Sequence, residues 1–224
     1  MVYVVLYLVA AVLLTNGLIM AGVITAFSPV AGAANVPFLT LAYSAAGVAN
    51  LNYIIGGIMV ILALLIIAMD VYKGFGDTVS LVVASAVLTF AIAYLLLGGA
   101  LFNMYSPEYI AMAKAAVPEG SKPNAFVGFA AFQPLGWYCF PMFIMVFIEG
   151  LGFFHIIGKK LPKVPQFGIL WLSYAIAFFL FFYVFGLGNF GALQFTGWYC
   201  CAISVITIAY PTLAHFNAGK VGAW

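Results

Sequence analysis

Residues 56–69 read Gly-Gly-Ile-Met-Val-Ile-Leu-Ala-Leu-Leu-Ile-Ile-Ala-Met, with no charged or amide side chain before Asp70. Taken with the residues ahead of it, the run has the about 20 mostly apolar residues that cross the hydrocarbon core of a bilayer. A barrel strand would alternate with period two, and neither Ile58–Ile67 nor Phe178–Phe185 does so. Backbone groups in lipid must be satisfied within their own segment, so the run is a helix.

Similar runs recur on both sides of it, and together they predict spans over residues 3–25, 46–69, 79–101, 126–148, 167–187 and 195–214. Short breaks rich in Pro and Gly separate them, at Ser28-Pro29 to Pro37, Asp70 to Thr78, Asn103 to Asn124 and Gly158 to Pro165. The chain of 224 residues is 67% hydrophobic and 5% charged, with a mean hydropathy of +1.22. A soluble domain carries roughly 25% charged residues, so too little charge is present to coat a water-facing surface. The expectation is one all-α, polytopic membrane domain over residues 1–224, with six transmembrane helices. The first run has no basic start and stays apolar from Val2 to Phe27, which reads as a retained helix rather than a cleaved signal.

Six spans place the amino terminus, the 70–78 and 157–166 loops and the carboxyl tail on one side. That side holds Lys73, Lys159, Lys160, Lys163 and Lys220, and the other holds Lys114 and Lys122. Under the positive-inside rule both termini lie in the cytoplasm of a multi-pass protein of the cell membrane. Lysines carry all the positive charge and no arginine is present, so nucleic acid is not an expected partner. The segment from Ser28 to Ala49 is apolar yet long for a hairpin. It reads as an outer cap or as a half-helix dipping into the bilayer.

No nucleophile–base pair, phosphate loop or dinucleotide fingerprint is present, so an enzyme is not expected. Cys139, Cys200 and Cys201 show no metal-ligand spacing with His155 or His215 and read as packing residues, leaving neither metal nor cofactor expected. The informative groups are polar ones at membrane depth. Asn16, within Thr15-Asn16-Gly17, could line a path for a small carboxylate or amide, or could bond another helix. Asn50, Asn52 and Tyr53 precede Gly56 and Gly57. The glycines read as close helix packing, and the asparagines as a selectivity site or a helix start. Gly-Trp-Tyr-Cys occurs twice, at 136–139 and 197–200. Trp137 and Trp198 fit an interfacial aromatic belt or the frame of one pore mouth. Glu149, in the apolar stretch Phe143–Phe154, reads as a carboxylate that reaches the interface and pairs with Lys159 or Lys160, with proton relay or cation attraction as alternatives.

Several motifs in order resemble the acetate uptake transporter family, the succinate–acetate permease group. They are Gly56-Gly57, Asp70, Gly76-Asp77-Thr78-Val79, Pro123-Asn124-Ala125 with Gly128, Leu135-Gly136-Trp137, Gly188-Asn189 and Thr196-Gly197-Trp198. This resemblance implies a homohexamer whose protomers each hold a pore for acetate and related monocarboxylates, with or without proton coupling. It also implies a narrow apolar constriction at Leu8, Val87 and Phe178, where Val87 stands in place of that family's aromatic residue. The pore or substrate-binding set is then Asn16, Asn52, Tyr53, Asn189, Trp137 and Trp198. A second resemblance is to the urea/amide channel family, also six-helix hexamers, carried by Tyr7 to Gly17 and by Asn52 to Gly57. Acetate leads on the later motifs, with a urea or short-chain amide channel as the alternative. A non-transporting structural subunit of a membrane complex is a third reading, since pure helix packing suits the same composition.

Overall fold

The computed structural model describes residues 2–21, 42–72, 78–103, 131–158, 161 and 163–216. Among them are six α-helices and no strand: α1 (Val2–Met20), α2 (Ala42–Tyr72), α3 (Thr78–Asn103), α4 (Gln133–Phe153), α5 (Pro165–Phe181) and α6 (Leu193–Phe216). Five contain stretches long and apolar enough to cross a membrane. The 19 residues of α1 reach about 28 Å at 1.5 Å per residue, close to the same thickness. The chain is a polytopic helical membrane protein.

The boundaries differ from the expected ones at α2 and α4. Helix α2 starts at Ala42, so residues 42–49 of the expected cap belong to a membrane helix of 31 residues. The rest of that segment lies outside the described residues. Helix α4 runs on to Phe153, five residues past the expected end, so Glu149 sits inside it. Its end is a Schellman-type turn: Ile156 N–H donates to the Leu151 carbonyl at 3.1 Å and His155 N–H to the Gly152 carbonyl at 2.9 Å. His155 takes the left-handed position usual for glycine (φ 60°), and its Nε2 lies 2.7 Å from the Leu161 carbonyl, tying the turn to the entry of α5. Pro165 then opens α5, where its missing N–H costs nothing. Helix α5 ends in one π turn, Phe182–Gly186, and Gly188 (φ 71°) turns the chain toward α6. Of the lysines used for the orientation argument only Lys163, exposed before α5, is among the described residues.

The helices associate most closely as three antiparallel pairs, α1–α6, α2–α3 and α4–α5. Lipid tails are as apolar as leucine, so close approach in a membrane depends on small residues at the crossing. Each pair has them. A Cβ on Gly17 would stand 2.8 Å from the Gly197 carbonyl, and one on Gly197 would stand 2.7 Å from the Gly17 carbonyl. Gly56 faces the Ala91 carbonyl and Gly98 the Ala49 carbonyl, each at 3.1 Å on the same measure. Gly136 abuts the backbone of Gly186 in the π turn. Gly57 does not share the packing role expected of it, since nothing among the described residues would lie within 4 Å of its Cβ.

Gly197→Ala should therefore lower stability by about 1–3 kcal/mol or more, because backbone and not a flexible side chain must move. Gly57→Ala should leave stability unchanged or slightly raised, as alanine is the better helix former. Thermal unfolding of the detergent-solubilised protein separates the two; equal losses would contradict the packing described.

Candidate functional site

The interior is organised by one stripe on α5. Phe167, Trp171, Tyr174, Phe178, Phe181 and Phe185 recur at spacings of four and three, which places them on one helix face. All are buried. Phe185 continues the stripe into the π turn and stacks on Phe132 at 5.0 Å between ring centroids. Phe178 meets Phe90 of α3 at 5.2 Å, and Phe90 meets Tyr174 edge-on at 4.8 Å. Trp171 stacks on Phe167 at 5.1 Å. Phe153 of α4 packs edge-on against both, at 5.5 and 5.6 Å.

Beside Phe178 lies a small cavity, with about 20 Å3 open to the centre of a water molecule, room for about one. Leu13 of α1, Phe90, Ala93, Tyr94 and Leu97 of α3, Leu135 and Cys139 of α4, and Ala177, Phe178 and Phe181 of α5 enclose it. The lining is apolar, because the one hydroxyl nearby is turned away: Tyr94 donates to the Val9 carbonyl at 3.0 Å. Between this cavity and the α4–α5 turn the aromatic rings fill the bundle. Tyr174 is held there by a 2.7 Å hydrogen bond between its hydroxyl and that of Thr207 on α6. The arrangement is a ring-walled apolar cavity, termed the neck below, with room for about one water.

Of the three residues expected at a constriction, Phe178 lines the neck, Val87 is buried one turn away from Phe90 on α3, and Leu8 is partly buried against the core. Phe90, three residues beyond Val87, is the α3 phenylalanine that lines the cavity. Its signal was present in the sequence as the pair Phe90 and Tyr94, four apart, facing the α5 stripe.

The expected polar set divides. Asn16 and Asn52 are buried and bond each other reciprocally: Asn16 Nδ2 donates to Asn52 Oδ1 at 3.0 Å, and Asn52 Nδ2 donates to Asn16 Oδ1 at 3.2 Å and to the Val48 carbonyl at 2.8 Å. They clamp α1 to α2. Thr15 donates back to the Ala11 carbonyl. Tyr53 is partly exposed and stacks on Phe102 at 5.5 Å, on the outer side of the α2–α3 pair. Asn189 is exposed beyond the π turn and donates to the Tyr183 hydroxyl.

The two Gly-Trp-Tyr-Cys motifs are built alike. Each glycine makes a close backbone crossing, and each tryptophan, Trp137 and Trp198, is 51% exposed on the outside. Tyr138 donates to the Thr89 carbonyl at 3.1 Å and Tyr199 to the Ser173 carbonyl at 3.2 Å. Cys139 and Cys200 are buried and free. This geometry gives the glycines and cysteines packing roles and leaves neither indole among the cavity-lining residues. Among the described residues no group of three His, Cys, Asp or Glu side chains could hold a metal.

Glu149 has partners other than the lysines expected for it. Its Oε2 accepts from Trp171 Nε1 at 2.8 Å and its Oε1 from Ser85 Oγ at 3.3 Å. Lys159 and Lys160 lie outside the described residues.

These features define a helical membrane protein with a small apolar cavity in its aromatic core. Residues 123–218, which hold α4, α5 and α6, match the model of the AmiS/UreI family transporters. The chain is similar to the protein named "Putative transporter protein AmiS2" of Rhodococcus erythropolis, 33% identical over 82 residues that make up 37% of this chain and 38% of that one. The match thus spans less than two fifths of that relative's length. No solved structure matches. The order of the two family resemblances is reversed by these findings, which lie with the urea/amide channels and not with acetate uptake.

Removing one member of the amide clamp leaves the other buried without its partner, whereas removing both leaves an apolar contact. Asn16→Leu should cost about 1–2 kcal/mol of stability, and Asn16→Leu with Asn52→Leu less than the sum of the single losses. A double-mutant cycle by denaturant titration in micelles checks this; strict additivity would mean that the two amides are not coupled. Phe90→Ala should widen the neck and cost about 3–5 kcal/mol, read by the same titration.

Proposed function

We propose that this protein is a membrane conduit for small neutral amides, urea and short-chain carboxamides, passing through the neck between α1, α3, α4 and α5. The apolar lining beside Phe178 is the observation that carries the reading. Moving an uncharged amide out of water costs roughly 2–7 kcal/mol, whereas an unpaired carboxylate costs far more. Lys163, the one lysine among the described residues, is exposed and offers the neck no counter-charge for acetate. A ring-lined neck thus favours a flat neutral solute over an anion of similar size, and excludes ions that need carbonyl or carboxylate rings. The family match over α4 to α6 supports the same choice.

The proposal includes a homohexamer in the cell membrane, each protomer carrying its own neck, with both termini in the cytoplasm as the lysine distribution favours. The reading is of transport and not catalysis, which the match to a transporter family supports.

Proteoliposomes loaded by stopped-flow mixing test it. Urea and acetamide should equilibrate at least about tenfold faster than through protein-free vesicles, the effect of lowering a barrier by about 1.4 kcal/mol, with acetate at pH 7 showing no such gain. Acetate faster than both amides would restore the monocarboxylate reading. No acceleration of any solute would favour a structural subunit.

A further inference from the structure

Glu149 is a carboxylate placed by its own helix where lipid-facing and core-facing sides meet. Helix α4 turns Val146, Gly150 and Phe153 inward and Ile144, Phe147 and Ile148 outward, with Glu149 half-buried between. Charge at membrane depth is rare and usually marks a functional group or an obligatory partner. Here the partner is visible. Gly150 lets α4 approach α5 so closely that a Cβ would stand 2.9 Å from the Leu172 side chain, and this crossing brings the Glu149 carboxylate to the indole N–H of Trp171. Trp171 is 4% exposed and has a single donor, which must be satisfied inside the bundle.

The two arms of the carboxylate are unequal. Ser85 Oγ lies 2.8 Å from the Val82 carbonyl and 3.3 Å from Glu149 Oε1, so its one proton is directed mainly along its own helix. The indole bond, at 2.8 Å, is the shorter arm. It also fixes a ring of the α5 stripe, outside the lining of the cavity itself. Trp171 stands on the same α5 face as Phe178, two turns toward the α4–α5 turn, stacked on Phe167 and edge-on to Phe153. Rings at this position can open a passage only by rotating, and Trp171 cannot rotate without breaking its bond to Glu149.

We propose that Glu149 is a positioning residue for a ring gate: it holds the Trp171 indole in the stacked rotamer that narrows the conduit on the side of the α4–α5 turn, and so sets the upper size of solute that passes. The gating role rests on the conduit proposed above; the hydrogen bond does not.

Two readouts on the full-length protein test it. The first is the indole N–H hydrogen-bond band in ultraviolet resonance Raman spectra, taken as the difference between each protein and its Trp171→Phe counterpart. The second is the ratio of butyramide to urea uptake in proteoliposomes. Glu149→Gln keeps an acceptor oxygen and should retain the indole signature and the wild-type ratio. Glu149→Leu should lose the signature and raise the ratio about tenfold, the effect expected for one lost hydrogen bond. Trp171→Phe, which removes the donor and keeps a ring, should raise the ratio similarly, and adding Glu149→Leu to it should change nothing further.

A Glu149→Leu spectrum that keeps the indole signature overturns the latch. Loss of the signature with an unchanged ratio overturns the gating role, as does a Trp171→Phe ratio equal to wild type. If Glu149→Leu does not fold, the Trp171→Phe and Glu149→Gln arms decide alone. A wild-type protein that conducts neither solute sinks the conduit reading and the gate with it, while the spectra still decide the bond.

Discussion

The bundle depends on the aromatic face of α5. In a membrane no hydrophobic force drives helices together, so packing must come from shape, dispersion and the few polar groups that lipid cannot satisfy. Phe167, Trp171, Tyr174, Phe178, Phe181 and Phe185 supply all three. Their rings interlock with Phe90 of α3, Phe132 and Phe153, and Tyr210 of α6. Two of them carry a polar tip, and each tip has a partner on another helix, Thr207 for Tyr174 and Glu149 for Trp171. The same face that organises the core therefore also walls the cavity beside Phe178.

Around this face the three antiparallel pairs are set by missing side chains. Glycines at the α1–α6, α2–α3 and α4–α5 crossings bring backbones into contact, and the reciprocal bond of Asn16 and Asn52 fixes α1 against α2. The repeated Gly-Trp-Tyr-Cys motif is one local solution used twice. Its glycine packs, its tryptophan faces outward, its tyrosine bonds the backbone of a preceding helix, and its cysteine fills a small buried space. Of a motif open in the sequence to a belt or a pore-mouth reading, the glycine, tyrosine and cysteine serve assembly of the bundle.

Much of the fold was legible in the sequence because one signal, sustained apolarity, is enough to specify a membrane helix. All six helices were expected near where they occur. The errors fell where polar residues sit inside helices. The second helix begins at Ala42, four residues before its expected start, and the fourth runs five residues past its expected end, taking in Glu149, which is satisfied by a neighbouring helix as Asn52 is. The site was legible only in part. Phe178 was placed, and the α5 stripe was there to be read at spacings of four and three, but Phe90 was passed over for Val87 one turn away.

By itself the sequence determined that the chain is a six-helix membrane protein, since hydropathy is additive along the chain and needs no knowledge of neighbours. Which polar groups serve a solute and which serve another helix was decided by tertiary structure alone. An asparagine or a glutamate has the same chemistry in either role, and only the partner within hydrogen-bond distance separates them. Asn16 and Asn52 are spent on each other, Glu149 on Trp171, and the neck is left to rings.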